Sequence, residues 1–378
     1  MNDSLKNKIK EKQGKTKLPF SNCFFRFTEK ASVFECGDGF YSVIWVTNFR
    51  GSGWVTYTFE GKEYKVNDQR GGNIRSNDTI HSVRVPKEHL NGNTYRYHSQ
   101  YVAFKFGYSA IKGVTISSPE IKFKGEPAGD KTDVLVLSDI HGDLPPCEAA
   151  VDCFKGDYDL LVLNGDISSS IVFKKDFTEK VLGFAYIFSK GEIPVAYTRG
   201  NHETRGSFAS EVPAYFGTKT GGLYFTFRHG PLFAAVLDTG EDKPDDHIEY
   251  SGLVDYQAYI DGETQWLNGL RKDESDGILY RAAFAHMPDV NSRFGNNWNP
   301  ALEKLGTQIV ISGHTHSFEL HPKYNSEAKF ITVIEGGKIS KGYSGFIACR
   351  FTFAPGGAVR ALAYDKDKNK AADEMIEL

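Results

Sequence analysis

Little in this 378-residue chain points to a membrane, a nucleic acid or an oxidising compartment. No apolar run approaches the roughly 20 residues that a membrane-spanning helix needs. The opening MNDSLKNKIKEKQGKTKLPF has no apolar core and so does not read as a secretory signal. Its six lysines, Lys6 to Lys17, make residues 1–19 a solvated, flexible tail. A net charge of −3 with 25% charged residues offers no basic surface, which argues against a nucleic-acid partner. Cysteine is scarce too: Cys23, Cys36, Cys147, Cys153 and Cys349 are scattered and show no CxxC spacing. Free thiols and a cytoplasmic location are the expectation, with a Cys23–Cys36 bridge and secretion only if a leader has been removed. Internal repeats and low-complexity tracts are absent.

The length suits two domains. Across residues 20–125, short alternating segments recur (SVFEC, YSVIWVTN, WVTYTF, SVRVP, TYRYHSQYVAFKF, VTISSPEIKFKG), separated by clusters such as GNIRSND and NGNT. With no helical period among them, they predict an all-β sandwich. Gly125 to Asp130 reads as a linker, and residues 132–370 alternate apolar runs with helical stretches, as an α/β core does.

Five short motifs in that second part carry chemistry. They are Asp139-Ile140-His141, Gly165-Asp166, Gly200-Asn201-His202-Glu203, His286 in Ala-His-Met-Pro, and Gly313-His314-Thr315-His316. Each follows a short apolar run (VLVL, LLVLN, IPVAY, AAFA, QIVIS) that reads as a buried strand, so each falls in the loop at a strand's carboxyl end. Ligands bind α/β sheets at that edge, so residues as distant as Asp139 and His314 can converge. Carboxylates, an amide oxygen and imidazoles together suit Mn, Fe, Zn or Co rather than Ca alone. Taken singly, Asp139, Asp143 and Asp166 could cap helices, and Gly165 and Gly200 could merely permit turns. Capping does not, however, demand Asn-His after one strand and His-x-His after another.

The order and type of these motifs resemble the calcineurin-like metallophosphoesterases, a superfamily that includes purple acid phosphatases and Ser/Thr protein phosphatases. The resemblance covers roughly residues 132–365. It implies a four-layered α/β core with two facing mixed sheets, and two divalent transition-metal ions. Asp139, His141, Asp166 and His316 would hold the first ion. Asp166 would bridge to a second, held also by Asn201, His286 and His314. Phosphate-ester hydrolysis would follow, with a metal-bridging hydroxide as nucleophile, His202 as proton donor and Glu203 orienting His202.

Two departures refine this expectation. Where purple enzymes carry a tyrosine ligand this chain has Ser169, and where they have glycine it has His141, so the site should be complete but not purple. Arg199 to Arg205 resembles the third motif of the protein phosphatases, making Arg205 a candidate phosphate clamp or else a partner in an intramolecular ion pair. In the first part, Leu90 to Tyr97 resembles the tyrosine corner of fibronectin type III domains, with Trp45 as core tryptophan. A sandwich before a phosphoesterase core is also the order seen in plant-type purple acid phosphatases.

Residues 240–262 and 289–299 leave strand ends near the expected metals and are candidate specificity loops. Phe294 or Trp298 could stack on a base or aryl group, or simply pack the loop, while Gln265-Trp266-Leu267 reads as a packing anchor. The substrate expected is a small phosphate ester. The rival readings are a cyclic-nucleotide phosphodiesterase, a nuclease, or a non-catalytic scaffold of the same fold.

Overall fold

The computed structural model describes residues 24–272, 277–321, 325–340 and 345–378. The lysine-rich tail and Cys23 lie outside the described residues. Every one of the five apolar runs forms a strand: Thr132–Leu137, Leu160–Asn164, Pro194–Thr198, Tyr280–Ala285 and Ile309–Ser312. Nearly all of their residues are buried, as expected where both faces of a sheet are covered.

The strands fall into two mixed sheets. The first three motif strands are parallel neighbours in one, flanked by the antiparallel strands Gly345–Phe353, Ala358–Asp365 and Lys370–Glu377. In the other, Leu232–Leu237, Tyr280–Ala285, Ile309–Ser312 and Ile331–Glu335 run parallel. Val134, Val136 and Val162 of the first sheet pack against Val236, Phe284 and Ile311 of the second in one buried cluster. Each such side chain contributes roughly 1.5–3 kcal/mol by leaving water. On the outer face of the first sheet lie Cys147 and Ala150 of helix Leu144–Val151, with Phe184 and Phe188 of helix Gly183–Ser189. Ile260 and Leu267 of helix Tyr256–Gly269, with Leu302 of helix Asn299–Lys304, pack in the cluster that covers the second.

The N-terminal region is strand-rich, as its alternation suggests, but it is organised around one long element. YSVIWVTN and WVTYTF, read as two segments, form a single 20-residue strand, Phe40–Phe59. Its first part pairs with Asp78–Pro86 and its second with Lys62–Asn67 and Thr94–Lys105. The exchange occurs around Gly51 and Gly53, where a Cβ on Gly53 would collide with Trp45 and His81. Trp45 is fully buried in this region's core and donates its indole N–H to Ser99 Oγ at 2.8 Å.

The two parts of the chain share hydrogen bonds directly. Strand Phe27–Glu35 pairs antiparallel with Phe40–Phe59 on one side and parallel with Pro194–Thr198 on the other, through Val33↔Pro194 and Phe34↔Val195. The Tyr95 hydroxyl, in the tyrosine-corner stretch, donates across to Gly191 O at 2.8 Å rather than to a nearby upstream carbonyl. Among the described residues no helix is long and apolar enough to cross a membrane. Cys36, Cys147, Cys153 and Cys349 are free.

Candidate metal centre

Register brings the motifs together. The parallel pairing of the first three motif strands sets Asp139, Asp166 and Asn201 side by side. The second sheet presents His286, His314 and His316 from the facing side. Backbone bonds stitch the loops: Asp139 N to Gly165 O at 3.0 Å, His141 N to Asp166 O at 2.8 Å, and Gly313 N to His286 O at 2.9 Å.

Asp139, His141, Asp166, His314 and His316 all have positive φ, between 50° and 69°. Left-handed backbone costs a non-glycine residue roughly 1–2 kcal/mol. Five such residues at one spot mark a site where the fold holds its side chains against local preference. Gly200 has no positive φ, so turn geometry does not require it. A Cβ there would overlap the Asp166 amide and carboxylate.

The ligand atoms converge. His316 Nε2 lies 3.3 Å from Asp139 Oδ1 and 3.1 Å from His141 Nε2. His141 Nε2 is 3.8 Å from Asp166 Oδ2, and His286 Nε2 is 3.3 Å from the same oxygen. His314 Nδ1 lies 3.2 Å from Asn201 Oδ1. Asp139, His141 and His316 form one cluster of metal-ligating atoms, and Asp166, His286 and His314 another. All seven expected ligands therefore lie together, with Asp166 Oδ2 between His141 Nε2 at 3.8 Å and His286 Nε2 at 3.3 Å. A third cluster joins His141 and Asp166 to His202, whose side chain is partly exposed at the rim of the centre.

Two buried polar atoms in the centre have no hydrogen-bond partner, Asp139 Oδ1 and His286 Nε2. Such orphans are costly unless something else satisfies them. A cation held in each cluster would do so, and the donor set fits divalent transition metals. His286 faces Asn164 O with Nδ1 at 2.8 Å, so Nδ1 carries a proton and Nε2 is the nitrogen turned toward the centre. Burial lowers the His286 pKa, but the Asp166 carboxylate outweighs it and brings the ring to about 10. The pocket thus favours positive charge at this point. Burial holds His141 down to about 4 and also lowers His314, leaving neutral imidazoles ready to ligate. Burial alone would raise Asp166, yet His286 holds its carboxyl well below the usual range.

Glu203, expected to orient His202, instead spends its oxygens on three backbone N–H groups: Asp166 at 2.8 Å, Ser168 at 2.7 Å and Gly200 at 2.9 Å. It ties the second motif loop to the third. Burial, foremost, and the charge of Asp166 push its carboxyl up to about 7. His202 takes its partners elsewhere, with Nδ1 3.0 Å from Ser169 O and Nε2 3.1 Å from Arg205 Nη1. The backbone N–H of His202 donates to Asp166 Oδ1 at 2.9 Å. Arg205 is in the ion pair that was its alternative reading, with Nε 2.6 Å from Glu241 Oε1 and Nη2 3.2 Å from Oε2.

Sequence reasoning did not single out Glu241. It lies within a recognised candidate loop, but its pairing depends on a fold that joins residues 36 apart. Asn164 and Ser138 were likewise missed: Asn164 faces His286, and the Ser138 hydroxyl donates to Asp139 Oδ2. Glu335 is buried behind them, its carboxyl pushed up to about 8 chiefly by burial. The second candidate loop is anchored by Arg293, which bonds Asp289 at 2.8 Å and the Glu241 carbonyl. Trp298 is buried and donates to Thr264 Oγ1 at 2.8 Å, so it packs the loop and is closed to a ligand. Asp143 precedes helix Leu144–Val151 without a side-chain capping bond.

Residues 132–318 match the family model for calcineurin-like phosphoesterases. That segment is the calcineurin-like phosphoesterase part of the chain, and members of the family are generally dinuclear-metal phosphoester hydrolases. Among solved structures, the chain is similar to that of PhoD, at 13% identity over 94% of each chain with a TM-score of 0.48. It is also similar to a conserved uncharacterised protein, a predicted phosphoesterase, from Streptococcus pneumoniae TIGR4. That likeness is 13% identity over 66% of this chain and 98% of the other, with a TM-score of 0.31. A cold-active protein-tyrosine phosphatase of a psychrophile, Shewanella sp., is 12% identical over 93% of this chain and all of its own (100%), with a TM-score of 0.32. Every one of these scores lies below 0.5. No curated protein matches the chain.

Proposed function

We propose that the protein hydrolyses small phosphate esters at a two-metal centre. Asp139, His141, Asp166 and His316 would hold one divalent ion, and Asp166, Asn201, His286 and His314 the other. When bound, such ions supply Lewis acidity toward phosphoryl oxygens and bring the pKa of water near neutrality. The observation that carries this reading is the pair of buried, partnerless atoms, Asp139 Oδ1 and His286 Nε2, facing a cluster of five further ligating side chains.

The protein's own residues supply orientation and a proton. Glu241 tethers Arg205 through Nε and Nη2, so that Nη1 is the part of the fork able to leave His202 for a phosphate oxygen. That exchange frees His202 Nε2 to carry a proton toward the leaving oxygen, while the Ser169 carbonyl keeps hold of Nδ1. Glu203 keeps the second and third motif loops at fixed spacing throughout. In this reading the core has the four-layered arrangement, and the N-terminal strands form a fibronectin III-like sandwich around Trp45.

A panel of an aryl phosphomonoester, its bis-aryl diester, a cyclic nucleotide and single-stranded DNA, each with and without chelator, tests the proposal. Chelator-sensitive, metal-restored turnover of the aryl esters is expected. Turnover of none of the panel, with two metals bound, would overturn it in favour of a scaffold role.

A further inference from the structure

Away from the metal centre, a groove of about 420 Å³ opens in the N-terminal region, lined by Arg50, Arg70, Arg75, Ile74, Phe104 and Lys105 among others. Its charge is unbalanced. Arg75 pairs with Asp68 and Asp78, and Lys174 pairs with Asp78, so these four cancel. Among the described residues no carboxylate oxygen lies within 4.0 Å of a charged nitrogen of Arg50, Arg70 or Lys105, and Arg70 acts only at longer range on Asp68, already paired with Arg75. Both arginines are nonetheless fixed, because Arg50 Nη2 donates to Ala103 O and Arg70 Nη2 donates to Ala214 O, the latter at 2.7 Å. A carbonyl anchor positions a guanidinium without neutralising it and leaves its remaining N–H groups to offer. Ile74 and Phe104, each about half exposed at 46% and 51%, add an apolar wall.

One chain segment connects the groove's edge to the loop beside His202. Ser169, which faces His202, is five residues before Lys174, and Lys174 bonds Asp78 beside Arg75. Five residues span at most about 18 Å.

We propose that this groove is a second anion site, which takes an organic phosphate. Arg50, Arg70 and Lys105 hold the phosphate oxygens, and the apolar or aromatic part lies against Ile74 and Phe104. Its volume falls within the range of small-ligand sites, and the arginine fork matches phosphate geometry. The site stands independently of the reading of the metal centre.

Calorimetric titration of the full-length chain with phenylphosphonate, whose C–P bond a phosphoesterase leaves intact, tests it. Saturable binding is expected to survive chelation of the metals, which separates this site from the catalytic one. Arg50→Ala with Arg70→Ala should weaken that binding at least about tenfold. Lys105→Glu repeats the test without touching the Ala214 contact, should the double variant misfold. Methylphosphonate should bind several-fold more weakly than phenylphosphonate, and Phe104→Ala should erase the difference. No saturable binding to the chelated protein, or binding unchanged in both charge variants, would overturn the site.

Discussion

Glu241 grips Arg205 with both carboxylate oxygens and leaves Nη1 of that arginine 3.1 Å from His202 Nε2. The Glu241 side chain is almost wholly buried while that of Arg205 is 36% exposed, so the carboxylate is the fixed half of the pair and the guanidinium meets solvent. Losing the carboxylate strands the arginine near the centre without a fixed direction.

Glu241→Gln should therefore lower kcat on aryl phosphates by roughly tenfold to a hundredfold, the scale of a misplaced positioning group. Metal content should stay at the wild-type level, because no ligand is altered. Elemental analysis beside steady-state kinetics checks both halves, and a loss of metal would assign Glu241 to the centre's architecture instead.

His202→Ala should keep both metals yet cut the rate by roughly 10²–10⁴, the usual worth of general acid catalysis. The loss should be greatest for alkyl phosphates and least for nitrophenyl esters, since nitrophenolate leaves unaided. Equal slowing of good and poor leaving groups argues against proton donation by His202.

Asp166→Asn should lower metal occupancy and turnover together, because in the proposed centre this carboxylate serves both ions. Its wild-type counterpart should contain close to two equivalents and show no visible charge-transfer band even with iron. The Ser169 hydroxyl, standing where purple enzymes have tyrosine, donates to the His141 carbonyl at 3.0 Å. A purple preparation would show that another tyrosine reaches the metals.

Asp78 gives a pH-dependent test away from the site. Burial would raise its carboxyl, but bonds from Lys174 and Tyr215 lower it from 3.8 to about 2. A depressed folded pKa contributes stability that is present above pH 3.8 and lost as pH falls through about 2. Asp78→Asn should thus destabilise by roughly 2 kcal/mol at neutral pH, and the gap from wild type should narrow below pH 4. Urea denaturation across that range reads it, and a pH-independent gap would mean that packing rather than charge is lost.

The centre was legible because its chemistry restricts residue types tightly. Few side chains serve as nitrogen and oxygen ligands at strand ends, and apolar runs before each motif revealed the strands. What escaped depends on pairings that no local pattern encodes. YSVIWVTN and WVTYTF read as two segments, yet Gly51 and Gly53 between them sit inside one strand, where it changes partners. The role of Glu203 could not be seen because its partners are backbone amides, which every residue but proline has. Left-handed backbone at five ligands is likewise invisible, since nothing in the residue types Asp and His demands it.

The strand Phe27–Glu35 has a consequence for how this protein can be cut or recombined. It caps Pro194–Thr198 with backbone hydrogen bonds, and the third motif begins two residues beyond that strand. A chain truncated at the Gly125–Asp130 connection would leave that strand as a bare apolar edge, a template for pairing with another molecule. The phosphoesterase segment is accordingly not a cassette. Transplanted alone, it should aggregate, or loosen the loop that carries Asn201, before any question of substrate arises.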